Sequence, residues 1–247
     1  MKQAGVWLCG LLLIVSQQNA LADTKAMQII CPPMVREGIT QLAASFTKQT
    51  GIPVTVKVSP MGKIVEDIKA GPADIVLLPT GLMETLAKDG GVGTPQKLGR
   101  MEIALAVRPG APHPDISTVD KLAAALRSAK TVAYTQPGPP RFSMEAGMID
   151  QILHRPEFSG VQLMTTTTRS GVDALATGDA DMAVQATSAF LSRKDVELVG
   201  SLPPELAAHI DFEVAVSRDA ADTKAASDFV RYVTRPEAAW SKFGLKR

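Results

Sequence analysis

The order of apolar runs predicts an α/β fold made of two successive sets, each a mainly parallel sheet flanked by helices. Three observations predict it. Strand and helix periodicities alternate from Met27 to Val107. The segment Arg108-Pro109-Gly110-Ala111-Pro112-His113-Pro114 then breaks the pattern, because its three prolines fit neither a helix nor a central strand. The same alternation resumes and runs to Gln185. This βαβ rhythm belongs to sheets covered by helices on both faces.

Met27 to Ile30 reads as a buried strand. Val35, Ile39, Leu42 and Phe46 recur at helical spacing, and Gly51 stops that helix. Val54, Val56 and Val58 alternate as a strand. A helix from Lys63 to Ala70, a strand from Asp74 to Leu78, a helix from Leu82 to Lys88 and a strand from Glu102 to Val107 follow. After the break, Ser117 or Thr118 caps a helix that runs through Ala129. Thr131 to Tyr134 is a strand, Phe142 to Leu153 a helix, and Val161 to Thr165 a strand. Ser170 to Thr177 is a helix and Met182 to Gln185 a strand. Phe212 to Val216 is the last predicted strand. A helix spans Thr223 to Val233, and Pro236 is expected to start another.

The 247 residues carry 26 Lys plus Arg against 25 Asp plus Glu, with 45% hydrophobic residues and 2 Cys. Such a chain buries a real core, and its balance excludes a generally basic nucleic-acid binder. Two cysteines exclude a disulfide scaffold and a Cys-rich metal cluster. Lys2, the apolar run Val6 to Val15 and the pattern Ala20-Leu21-Ala22 read as a secretory signal peptide, residues 1–22, cleaved after Ala22. Export to the periplasm follows, with no membrane insertion of the mature chain. Cleavage removes one basic residue and Cys9, leaving charge-balanced residues 23–247 and a single thiol, Cys31. Apolar Ile29 and Ile30 before it point to a buried structural cysteine.

Ligands of open α/β sheets bind beyond the carboxyl ends of the strands. The loops there supply Ser59 and Lys63, then Arg141 and Ser143, then Thr168 and Arg169, and lastly Gln185. These hydroxyls, amide and cations fit a small anion, with Arg141 or Arg169 forking onto a carboxylate. The loops hold no histidine. His113, His154 and His209 are far apart, and no metal or cofactor is expected. Gly90-Gly91-Val92-Gly93 follows a helix and reads as a helix stop rather than a phosphate loop. No serine sits in a nucleophile elbow.

Three segments resemble the type II periplasmic solute-binding proteins, in particular the molybdate-binding branch. The first is the opening strand, loop and helix ending in Thr50-Gly51, with the strand Val54 to Val58. The second is Gly62-Lys63-Ile64 followed by Ala70-Gly71-Pro72-Ala73-Asp74-Ile75-Val76. The third is Gly178-Asp179-Ala180-Asp181-Met182-Ala183-Val184. The resemblance implies the two-lobed periplasmic-binding-protein type II fold, with lobes at 26–107 plus 207–247 and at 108–206. It implies a monomer that hands a small anion to the membrane subunits of an ABC transporter.

The family's oxyanion-holding serines fall at Pro32 or Pro33 and at Met61, and its tyrosine falls at Ala186. Neither proline nor methionine offers a useful donor, so a larger organic anion, a di- or tricarboxylate, is expected ahead of molybdate or tungstate. Aconitate isomerase also resembles this branch, which implies an alternative: an allylic proton shift between cis- and trans-aconitate. Such a shift needs one base and a cationic hold on developing charge, and Glu145, Lys63 and Tyr134 are the candidates.

Overall fold

The computed structural model describes residues 25–71, 73–138, 143–167 and 170–247. Arg141, Thr168 and Arg169 lie outside the described residues, as does the expected signal peptide. Ten strands form one sheet system, flanked by eight α-helices.

The first lobe opens with β1 (Met27–Cys31), α1 (Arg36–Thr50), β2 (Val54–Val58), α2 (Ile64–Ala70), β3 (Ile75–Pro79) and α3 (Thr80–Lys88). β1 lies parallel between β2 and β3. All five residues of β3 are buried, as a strand covered on both faces requires. Gly51 ends α1 in the left-handed conformation at φ 76°, its N–H returned to Thr47.

β4 (Gln96–Val107) is twelve residues long and serves both lobes. Its first half, to Glu102, pairs antiparallel with β9 (His209–Val216), and β9 pairs antiparallel with β3. From Ile103 onward it pairs with β7 (Met182–Ala186) and with β8 (Glu197–Ser201). The strand was expected from Glu102 only, because Gln96 to Arg100 is mostly polar. These residues are held by pairing with β9, and Leu98 and Met101 reach the core.

The second lobe contains α4 (Val119–Ser128), β5 (Val132–Thr135), α5 (Met144–Leu153), β6 (Leu163–Thr166), α6 (Gly171–Ala176), β7, α7 (Ser188–Leu191) and β8. β5 lies parallel between β6 and β7. Each lobe thus has a parallel three-strand set, and antiparallel strands join the two sets. Thr118 caps α4 through its hydroxyl, as its position before the apolar stripe foretells. α7 and β8 carry too few apolar repeats to stand out in the sequence.

The chain closes with α8 (Thr223–Thr234), a 3-10 turn at Trp240–Phe243, and β10 (Leu245–Lys246) on β4. The helix expected from Pro236 does not form. Arg235 is extended, and the chain turns so that Trp240 is buried and its indole N–H caps Val233 of α8 at 2.8 Å. Phe46 of α1 meets Phe229 of α8 edge-on at 5.1 Å.

Candidate functional site

A cleft of about 680 Å³ opens at the carboxyl ends of β1, β3, β5 and β7. Ligands of open α/β sheets collect there because strand ends and helix starts leave backbone groups unpaired. Its two walls are chemically unlike.

The first lobe lines it with Pro32, Pro33 and Met34 after β1, Pro60 and Met61 after β2, and Pro79 at the end of β3. Prolines bring no N–H, so this wall supplies shape and few donors. Arg36 and Lys242 are exposed cations on the same side, with Glu37 beside Arg36.

The second lobe contributes Thr135, Ser143, Glu145, Ser170, Gln185, Ser188 and Ser192. Local structure positions each. Ser143 is the N-cap of α5 and accepts the Ala146 N–H at 3.2 Å. Ser170 caps α6 in a reciprocal capping box with Asp173. The start of α6 rides directly on β5, where a Cβ on Gly171 would stand 2.7 Å from the Tyr134 Cα, so only glycine fits. Gln185 is buried. Its amide donates to the Thr135 hydroxyl at 2.8 Å, and its carbonyl oxygen accepts the Val172 N–H at 3.3 Å.

Glu145 stands on the first turn of α5. Its carboxylate accepts the Ala186 N–H at 2.5 Å. Burial pushes its carboxyl above the usual carboxylate range, against the opposing pull of the hydrogen bonds from Ala186 and Gln185. A carboxyl so placed is chemically able to donate or accept a proton at the cleft.

The residues predicted for the site divide. Glu145, Ser143 and Gln185 line the cleft. Ser59 does not: it is fully buried, and its hydroxyl donates to Asp67 at 2.5 Å. That bond, followed by the contact from Lys57, holds the Asp67 carboxyl below its usual range. Lys63 is exposed at the N-cap of α2 and is not in the lining. Tyr134 is 1% exposed, and its phenol donates to Asp150 at 2.6 Å. Burial, then that bond, raises its pKa, which removes it as a base at neutral pH. Nothing described bears on Arg141, Thr168 or Arg169.

Sequence reasoning missed Arg36, Lys242 and Ser192. Lys242 was hidden because its segment was assigned to a helix. Arg36 was hidden because it sits one turn past the first loop. Cys31 is buried beneath the first wall, and burial pushes its thiol up to about 12, so it is inert. Among the described residues no group of three His, Cys, Asp or Glu side chains could hold a metal ion. No helix among them is long and apolar enough to cross a membrane.

Known proteins share this architecture. The periplasmic molybdate-binding protein of Azotobacter vinelandii superposes with a TM-score of 0.67 at 16% identity, over 90% of this chain and 99% of that one. PEB3 of Campylobacter jejuni with bound L-phospholactate gives a TM-score of 0.64 at 19% identity, over 90% and 99%. At these identities the likeness establishes the fold. An aconitate isomerase from a Pseudomonas species is 24% identical over 240 residues, which cover 94% of this chain and 91% of that protein. The family model for bacterial extracellular solute-binding proteins matches residues 27–246, and with its molybdate-binding-like type II fold the chain belongs to that family.

Proposed function

We propose that this protein binds a small organic anion bearing carboxylates in the cleft between its lobes. The observation that carries this reading is the first wall. Pro32, Pro33 and Met61 line the cleft where a tetrahedral oxyanion would need hydroxyl donors. The cavity also falls in the size range of organic-ligand sites. Lobe boundaries at 26–107 plus 207–247 and at 108–206 let the ligand touch both walls and favour the closed state. Export with cleavage after Ala22, a monomeric state and delivery to the membrane subunits of an ABC transporter complete the proposal.

Calorimetry and thermal shift with a panel of di- and tricarboxylates, molybdate and tungstate test it. Stabilisation by a carboxylate is expected. A shift with molybdate alone overturns the reading. Arg141→Ala and Arg169→Ala test the clamp expected from sequence. If each guanidinium pairs with a desolvated carboxylate, each variant loses about 2–5 kcal/mol of binding free energy.

One observation favours a second reading. An anion receptor does not need a carboxyl beside its ligand, yet Glu145 lines the cleft with a carboxyl that burial pushes above its usual range. As the base of an aconitate isomerase, Glu145 would take a proton from the methylene carbon and return it to the vinylic carbon as the double bond migrates. Proton NMR of cis-aconitate incubated with the protein decides between receptor and enzyme: conversion to the trans isomer marks the enzyme, and unchanged ligand marks the receptor.

A further inference from the structure

Glu145 occupies a backbone donor at the cleft. The Ala186 N–H at the end of β7 donates to the Glu145 carboxylate at 2.5 Å, and both residues line the cleft. The second neighbour, Gln185, has its amide engaged by Thr135 as well.

The other ionisable groups lining the cleft, among the described residues, are Arg36 and Glu37 from α1 and Lys242 from the 3-10 turn. β5, β7, α7 and the cap of α6 present only hydroxyl, amide or apolar side chains there. Within the described residues, hydrogen bonds rather than a salt bridge hold the Glu145 carboxylate. An entering anion would therefore place a second negative group beside the Glu145 carboxylate, and close approach of the two disfavours both staying ionised.

We propose that Glu145 is the specificity-determining residue of the cleft, and that the ligand is bound with one shared proton held between the Glu145 carboxyl and an acidic group of the ligand. The inference rests on reading the cleft as a carboxylate site. It names the ligand class more closely: organic acids whose carboxylates are basic enough to share a proton enter, and oxyanions far too weakly basic to do so, such as sulfate, are refused. The upward push that burial gives Glu145 lowers the cost of supplying that proton.

Titration of the mature protein with trans-aconitate by calorimetry, in two buffers of different ionisation heat between pH 5 and 8, tests this. Uptake rising toward one proton per ligand is expected at pH values where both the free acid and Glu145 of the free protein are ionised. Apparent affinity should fall by up to about tenfold per pH unit once Glu145 ionises in the free protein. Glu145→Gln keeps the acceptor for Ala186 and removes the titration. It should bind trans-aconitate with no proton uptake at pH 8 and gain at least about tenfold in sulfate affinity, as removal of one like charge predicts.

Equal proton uptake and equal pH profiles in wild type and variant, with both binding, overturn this inference alone. A wild type that binds no carboxylate of the panel overturns the proposed function with it. The wild-type proton count stands without the variant, and binding with a count near zero at every pH, extended upward until apparent affinity has been followed past the ionisation of Glu145, overturns the inference even if the variant does not fold.

Discussion

The two walls of the cleft come from strand ends of the same kind, yet they do different work. After β1, β2 and β3 the chain presents proline and methionine. After β5 and β7 it presents Thr135, Gln185 and, from α5, Glu145. The first wall can exclude water and match shape. The second can count hydrogen bonds and protons. On the proposed reading, two similar lobes hold one recognising surface and one covering surface, and site symmetry does not follow from fold symmetry.

The comparison breaks most readily at Gln185. Replacing it with leucine leaves the Thr135 hydroxyl and the Val172 N–H without their partner in a buried place. A loss of about 1–3 kcal/mol in urea denaturation is expected, with a fall in carboxylate affinity of about tenfold or more. Unchanged affinity would mean that the second wall does not do the recognising. Tyr134→Phe draws the line between wall and core. It deletes the bond to Asp150 and costs about 1 kcal/mol of stability. It leaves affinity unchanged, because Tyr134 is shielded from the cleft. A change in affinity would extend the second wall behind β5.

The smallest effect is expected from Lys242→Ala on the first wall. Lys242 is exposed at the rim, so its removal should slow ligand association at low ionic strength and be silent at high salt, by stopped-flow measurement. A salt-independent loss would turn the covering surface into a recognising one.

Much of the fold is legible in the sequence because period and punctuation agree. Ile39, Leu42 and Phe46 followed by Gly51 specify α1 and its end, and the valines of β2 alternate as a strand should. Illegible parts depend on partners distant in the chain. The polar first half of β4 is a strand because β9 and β10 pair with it, and the turn after α8 exists because Trp240 finds the end of that helix. The site follows the same rule. Ser143 and Gln185 sit at strand and helix ends that periodicity locates. Ser59 sits at such an end too, but Asp67, eight residues on, claims its hydroxyl. Glu145 looks in sequence like an acid complementing a helix start. Only the approach of β7 to α5 gives it Ala186 and a desolvated setting.

β4 passes from one set of neighbours to the other between Glu102 and Ile103. At that step the Glu102 carboxylate takes bonds from Ser201 and, at 2.5 Å, from Lys246. A single strand threaded through both halves cannot let them slide past each other without breaking its ladder. It can bend and twist. Travel of one half against the other is therefore expected to be angular, a bend or twist about this strand.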